Sequence, residues 1–109
     1  MFPKKQRVAK KKDFDLIFKK GKILHSDFFT VRFLKNDMDF RRFAVLVSKK
    51  ISPKATERNR LKRILREAIR KNQKLFPSGN DYVFYVKKNY SKISFRELEK
   101  LIIKMLKNL

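Results

Sequence analysis

Residues 47–70, VSKKISPKATERNRLKRILREAIR, leave this chain little freedom in how it folds. Leu61, Ile64, Leu65, Ala68 and Ile69 recur at the i, i+3, i+4, i+7, i+8 spacing of an apolar helical stripe. At about 100° per residue, Asn59, Lys62, Arg63, Arg66 and Arg70 fall on the opposite arc. A helix divided in this way needs an apolar layer on one side and presents cations on the other. Its start is open between two readings. Ser52 can cap it with Pro53 at the first helical position, or the pair forms a turn and the helix begins nearer Thr56. Its end falls near Phe76, ahead of Pro77, Ser78 and Gly79. If Arg58 is helical, it points about 160° away from Arg60. Asn59 and Arg60 then join the basic arc. Arg58 sits at the helix tip, where backbone N–H groups also favour phosphate.

The other segments supply the layer. Residues 13–20 read as a short helix with Asp13 as N-cap and Gly21 in the left-handed position after its end. Phe14, Ile17 and Phe18 share one face of it. Two readings of the Phe pair stand side by side: plain core packing, or an accessible edge at the rim of a groove where bases stack. Residues 27–34 alternate as a strand, residues 36–39 form a turn, and residues 42–48 form the next strand. These two strands read as an antiparallel hairpin, and apolar residues on both faces of the second suggest a central position. The stretch 81–87 (DYVFYVK) is a third strand. Ser94 and Glu97 form a capping box for a last helix whose core stripe is Leu98, Leu101, Ile102, Met105 and Leu106. The order α-β-β-α-β-α, with the first strand region (22–34) open to being split in two, gives a mixed sheet with helices, in the α+β class. Residues 1–109 read as one domain, with residues 1–12 a basic, solvated N-terminal arm carrying Lys4, Lys5, Arg7, Lys10, Lys11 and Lys12.

Charge narrows the function. Thirty-one Lys and Arg stand against ten Asp and Glu, a formal net charge of +21. Self-repulsion at that charge opposes compaction, so a neutralising polyanion is expected, with nucleic acid first. A membrane partner is not expected, because no apolar run approaches the ~18 residues of a spanning segment. Residues 54–74 alone hold nine Lys and Arg against two Glu. Much of this charge is Arg, whose planar fork suits phosphate.

Protein-borne catalysis is not expected. The chain has no Cys and a single His, His25, which reads as a surface or turn residue, so no triad-type base is at hand. The close acidic pairs Asp13/Asp15 and Glu97/Glu99 are i, i+2 on helices and diverge by roughly 200°. Asp37/Asp39 lies in a turn. The two glycines, Gly21 and Gly79, form no phosphate loop.

The segment Arg58-Asn59-Arg60, followed by LKRILREA and preceded by Val47-Ser48-Lys49-Lys50, resembles the signature of the bacterial ribonuclease P protein subunit. The resemblance runs over nearly the whole chain, through Asp13-Phe14…Ile17-Phe18…Gly21, the strand DYVFYVK and the closing amphipathic helix. The chain departs from the family's pattern in having Ser52-Pro53-Lys54-Ala55-Thr56 where a Gly-containing turn is common.

The resemblance implies a catalytic RNA subunit that removes the 5′ leader of precursor tRNA in a Mg2+-dependent reaction. It implies a protein that holds the leader in a cleft between the first helix and the sheet. It also implies a left-handed β-α-β crossover. The expected contacts to the RNA subunit are Lys49, Lys50, Arg58, Asn59, Arg60, Lys62, Arg63, Arg66 and Arg70. The expected leader contacts are Lys12, Phe14, Phe18 and Arg32. No metal ligand is expected on the protein. A cytoplasmic protein, monomeric and in one-to-one complex with the RNA, completes the expectation. The competing reading is a general RNA-binding protein, such as a ribosomal protein or RNA chaperone.

Overall fold

A computed structural model describes residues 4–109; the first three residues of the basic arm lie outside the described residues. Helix α1 is Lys11–Lys20. Strands β1 (Lys22–His25), β2 (Phe29–Lys35) and β3 (Arg42–Leu46) follow. Next come α2 (Ala55–Lys71), β4 (Asn80–Val86) and α3 (Phe95–Leu106). The first strand region is split in two, as the sequence left open. The order of the sheet is β1-β2-β4-β3.

That order corrects the hairpin expected between β2 and β3. β4 lies between them, antiparallel to β2 and parallel to β3, and the hairpin of this sheet is β1–β2. α2 is the crossover that joins the parallel pair. β3 is therefore an edge strand, not a central one. Its apolar character on both faces has a different cause: one face lies on the main core and the other on the layer that includes α1. Its open edge is partly covered by the arm. Arg7 bridges Phe43, the Val8 N–H donates to the Phe43 carbonyl at 3.0 Å, and Val8 is buried. This end of the arm is thus docked along β3, where the sequence suggested a solvated terminus.

The sheet's two faces divide the work. Phe29, Val31, Phe43, Val45, Tyr82, Phe84 and Val86 face α2 and α3, meeting Leu61, Leu65, Ala68, Ile69, Leu98, Ile102 and Met105 in one core. The stripes read from both long helices are the buried ones. The other face carries a smaller cluster of Val8, Ile17 and Val83, flanked by Phe14, Leu34, Ala44, Leu46 and Tyr85.

Three helix ends differ from expectation. The cap position of α1 is Lys10, without a side-chain cap bond. Asp13 lies one turn inside, drawn to Arg42 at 3.4 Å. Gly21 has φ −71°, an extended residue and not a left-handed one. Its lack of a side chain is required by space: a Cβ there would lie 2.4 Å from the Ile17 carbonyl oxygen and 3.0 Å from that of Phe33. α2 starts on the later of the two readings, with Lys54 as N-cap, and stops at Lys71 instead of near Phe76. There the Asn72 side chain donates to the Ala68 carbonyl, and a 3₁₀ turn carries the chain to Phe76. In α3 the Ser94 hydroxyl accepts the Glu97 N–H at 3.1 Å, as the capping box requires.

Candidate RNA interface

The α1 face of the sheet is read most easily in cross-strand rows. One row is Leu46–Tyr85–Thr30–His25, and the next is Ala44–Val83–Arg32–Ile23. α1 lies over this second row, with Ile17 packed on Val83. Phe14 and Phe18 are half-buried, so neither of their two sequence readings excludes the other. Their inner surfaces pack and their outer edges stay open.

Phe18 is held on two sides. The Arg32 guanidinium carbon lies 5.3 Å from its ring centroid, and one Arg32 N–H donates to the Phe18 carbonyl at 3.3 Å. The Tyr85 ring is 5.3 Å away at 49°. Burial raises the Tyr85 phenol, and the nearby Arg32 charge opposes this. Arg32, Phe18 and Tyr85 thus form a compact cluster, with a cation over the Phe18 ring and the Tyr85 ring tilted against it. Sequence reasoning missed Tyr85. It points to the face opposite that of its neighbour Phe84, and only the register shows that it faces Phe18.

Phe14 borders a groove of ≈ 420 Å³ that also includes Arg7, Ala44, Leu46, Lys62 and Arg66. The structure therefore joins two regions that the sequence kept apart. The far wall of the groove beside α1 is the basic flank of α2, because β3 is the edge strand over which that flank reaches. Lys12 is elsewhere. It lies four residues before Leu16 on the flank of α1 away from Phe14 and lines a different cavity.

The remaining cations of α2 face outward. Asn59, Arg60 and Arg63 are exposed or partly so and surround a shallow depression together with Thr56, Arg66 and Glu67. Among the described residues, Arg60, Lys62, Arg63 and Arg66 form no ion pair. Arg70 is different, since its guanidinium chelates Glu67. Arg58 is turned back on its own chain, donating to the Ser52 and Pro53 carbonyls at 3.0 and 2.7 Å. It fastens the turn that leads into α2. Lys49 and Lys50 are exposed in that turn.

At the other end of α1, Arg42 donates to both carboxylate oxygens of buried Asp81 at 2.8 and 2.7 Å. These bonds raise the Arg42 guanidinium, with burial opposing. The Asp13 and Asp81 carboxylates converge on this cation. Among the described residues no group of three or more His, Cys, Asp or Glu could hold a metal ion. No helix there is long and apolar enough to cross a membrane.

The fold and site define a small, strongly basic α+β protein that sets an aromatic helix beside a groove walled by cations of its central helix. The family model for ribonuclease P matches residues 2–109. The "Ribonuclease P protein component" of Thermotoga maritima is 37% identical over 112 residues, covering 99% of this chain and 95% of that one. The protein of the same description from Petrotoga mobilis is also 37% identical, covering 99% and 94%. The solved ribonuclease P protein of Thermotoga maritima superposes with a TM-score of 0.85, covering 94% of this chain and 96% of the other. That of Staphylococcus aureus, at 26% identity, gives 0.81 with 94% of each chain covered. The chain belongs to the ribonuclease P protein family. It is a component of a tRNA-processing endoribonuclease and a partner of the ribonuclease P RNA.

Proposed function

We propose that the groove beside α1 holds the 5′ leader of precursor tRNA while the outer arc of α2 grips the catalytic RNA, one protein to one RNA. The observation that carries this is the Arg32–Phe18–Tyr85 cluster, next to the groove that Phe14 shares with Lys62 and Arg66. Stacking accepts any base, and phosphate contacts carry no sequence information. Together they suit a protein that must accept leaders of unrelated sequence. Arg66 borders the leader groove and the outer depression of α2 at once, so both ligands meet at α2.

Cleavage itself belongs to the RNA subunit, and its Mg2+ is bound there. On the protein, the charges of Asp13 and Asp81 are offset by the Arg42 guanidinium on which both converge. The protein's cations lower the repulsion between two polyanions, so substrate and Mg2+ gather at the RNA centre more readily. The reaction takes place in the cytoplasm.

The test is reconstitution. Protein and a bacterial ribonuclease P RNA are mixed at low Mg2+, with precursor tRNA as substrate. Leader cleavage should be restored, and affinity should be greater for precursor than for mature tRNA. Protein with Mg2+ but without RNA should cleave nothing. Equal affinity for precursor and mature tRNA would remove the leader from the proposal.

A further inference from the structure

The flank of α1 away from Phe14 borders a second cavity. It measures ≈ 400 Å³ and opens between α1, the end of β2 and the loop before β3. Leu16 and Met38 are 45% and 40% exposed, and both line this cavity, although they come from separate elements. Met38 is held outward by its loop. Asp37 adopts φ 61°, and the Asn36 side-chain oxygen accepts the Met38 N–H at 2.9 Å. The Asn36 amide nitrogen donates to the Phe40 carbonyl at 3.2 Å and to Asp81 at 2.9 Å. The loop thus fixes an apolar side chain beside a second apolar side chain in open solvent.

Polar groups surround the pair. Asp81 takes the short hydrogen bonds of Arg42, while Asp13 stands 3.4 Å from the same guanidinium. Asp13 therefore keeps acceptor capacity toward the cavity that it lines. Lys10, Lys12 and Lys35 are exposed around the same opening.

We infer that this cavity binds one unpaired nucleotide of the ribonuclease P RNA whose base carries an exocyclic amine. The base lies against Leu16 and Met38, where a thioether meets a ring favourably. The amine donates to Asp13, the pairing by which carboxylates read cytosine N4. The backbone phosphate lies among the three lysines. The inference rests on the proposed division of the RNA ligands. The leader lies on the opposite flank of α1, so the nucleotide here comes from the RNA subunit. A second copy of this chain is opposed as occupant by the +21 charge that each copy carries.

The test compares the native protein with its Leu16→Ala/Met38→Ala variant. Both positions are exposed, and Met38→Ala alone serves if the double variant is unstable. Each protein is titrated against the RNA subunit at several salt concentrations, and the complex is probed with dimethyl sulfate, which methylates unpaired A and C. The variant should bind about 5- to 10-fold more weakly, at the low end of what one base stack is worth. The slope of log K against log salt should be unchanged, since every phosphate-binding cation is kept. One A or C protected by the native protein should become reactive, or, for a G, the protection should appear with a G-specific reagent. Normal binding by the native protein with no change of affinity or protection in the variant would overturn the site and leave the RNA-binding reading intact. Failure of the native protein to bind the RNA would overturn both. A native dimer that the variant dissolves, seen by sedimentation, would make the patch a self-association surface and overturn the inference.

Discussion

Replacing Phe18 by alanine probes the aromatic cluster beside the groove, where Arg32 and Tyr85 meet one ring. The ring takes part in one aromatic pair, with Tyr85 at 5.3 Å, and one cation–π contact, with Arg32 at 5.3 Å. The pair is worth ~0.5–1.5 kcal/mol beyond burial, and the cation contact adds ~0.5–1 kcal/mol at an exposed site. Phe18 is only half-buried, so the loss of stability should stay below the ~3–5 kcal/mol of a fully buried Phe→Ala change. The protein should remain folded. Binding is weakened separately. One base stack is worth ~1–3 kcal/mol, a factor of about 5 to 150 in Kd.

The assay measures Kd for precursor and for mature tRNA with the RNA subunit present, alongside thermal unfolding of each protein variant. The loss should fall on the precursor alone. Phe18→Leu restores apolar volume without a π face, so it should recover much of the stability and little of the precursor affinity. Precursor binding by Phe18→Leu equal to that of the native protein would refute the stacking argument. So would equal losses for precursor and mature tRNA upon Phe18→Ala.

Other consequences are as direct. Arg63→Ala or Arg66→Ala should each flatten the slope of log K against log salt for RNA assembly by about 0.7–0.9 for every phosphate that the arginine neutralises, and an unchanged slope would return that arginine to plain solvation. Phe14→Ala and Arg66→Ala should show a coupling of ~0.5–3 kcal/mol in a double-mutant cycle on precursor binding, because both line one groove; strict additivity would separate the two regions again. Gly21→Ala should destabilise by about 1–3 kcal/mol through overpacking against two backbone carbonyls. Its φ of −71° suits alanine, so a gain of ~0.4–1 kcal/mol in thermal unfolding would show that the carbonyls give way. Burial raises the phenols of Tyr82 and Tyr90 above their usual value of 10.0. A raised folded value means that their share of stability is complete below pH 10 and is lost as the pH climbs from there toward the folded values. Tyrosinate absorbance should therefore rise together with alkaline unfolding seen by circular dichroism, and Tyr90 ionising ahead of unfolding would contradict its burial.

The legible parts of this fold are those written in local periodicity. The stripes of α2 and α3 and the Ser94 cap depend on residues within a few positions of one another, and the structure keeps them. Strand pairing depends on distant partners. Residues 36–39 do turn the chain, with Asp37 left-handed, and the sequence offers no sign that β4 will later enter between the two strands. The apolar pattern of β3 misled for a related reason. A strand covered on both faces has the same pattern whether it is central or at an edge sealed by another segment, here Arg7 and Val8. Gly21 shows a third limit. Glycine is equally consistent with a left-handed turn and with a tight approach, and only the position of the Phe33 carbonyl distinguishes them. At the candidate site, Phe14, Phe18 and Arg32 were legible as types at spacings. Tyr85 and the meeting of Phe14 with Lys62 and Arg66 required the register.

That meeting follows from topology. Had β3 paired with β2, β4 would have occupied the edge, and α2, which follows β3, would have left from an interior strand. With β4 inserted, β3 is displaced to the rim. The helix that leaves β3 must bury its apolar stripe on the core face, and its flank lies alongside the rim. Lys62 and Arg66 are on that flank. They border the groove on the opposite face without leaving their own helix and without costing core packing. The same insertion sets Tyr85 in the row between Leu46 and Thr30, opposite Phe18. The late strand thus supplies an aromatic partner to α1 and brings the basic helix to the groove's edge. A chain that inserts one strand late in its sequence gains a groove bordered by an aromatic helix on one side and a basic helix on the other.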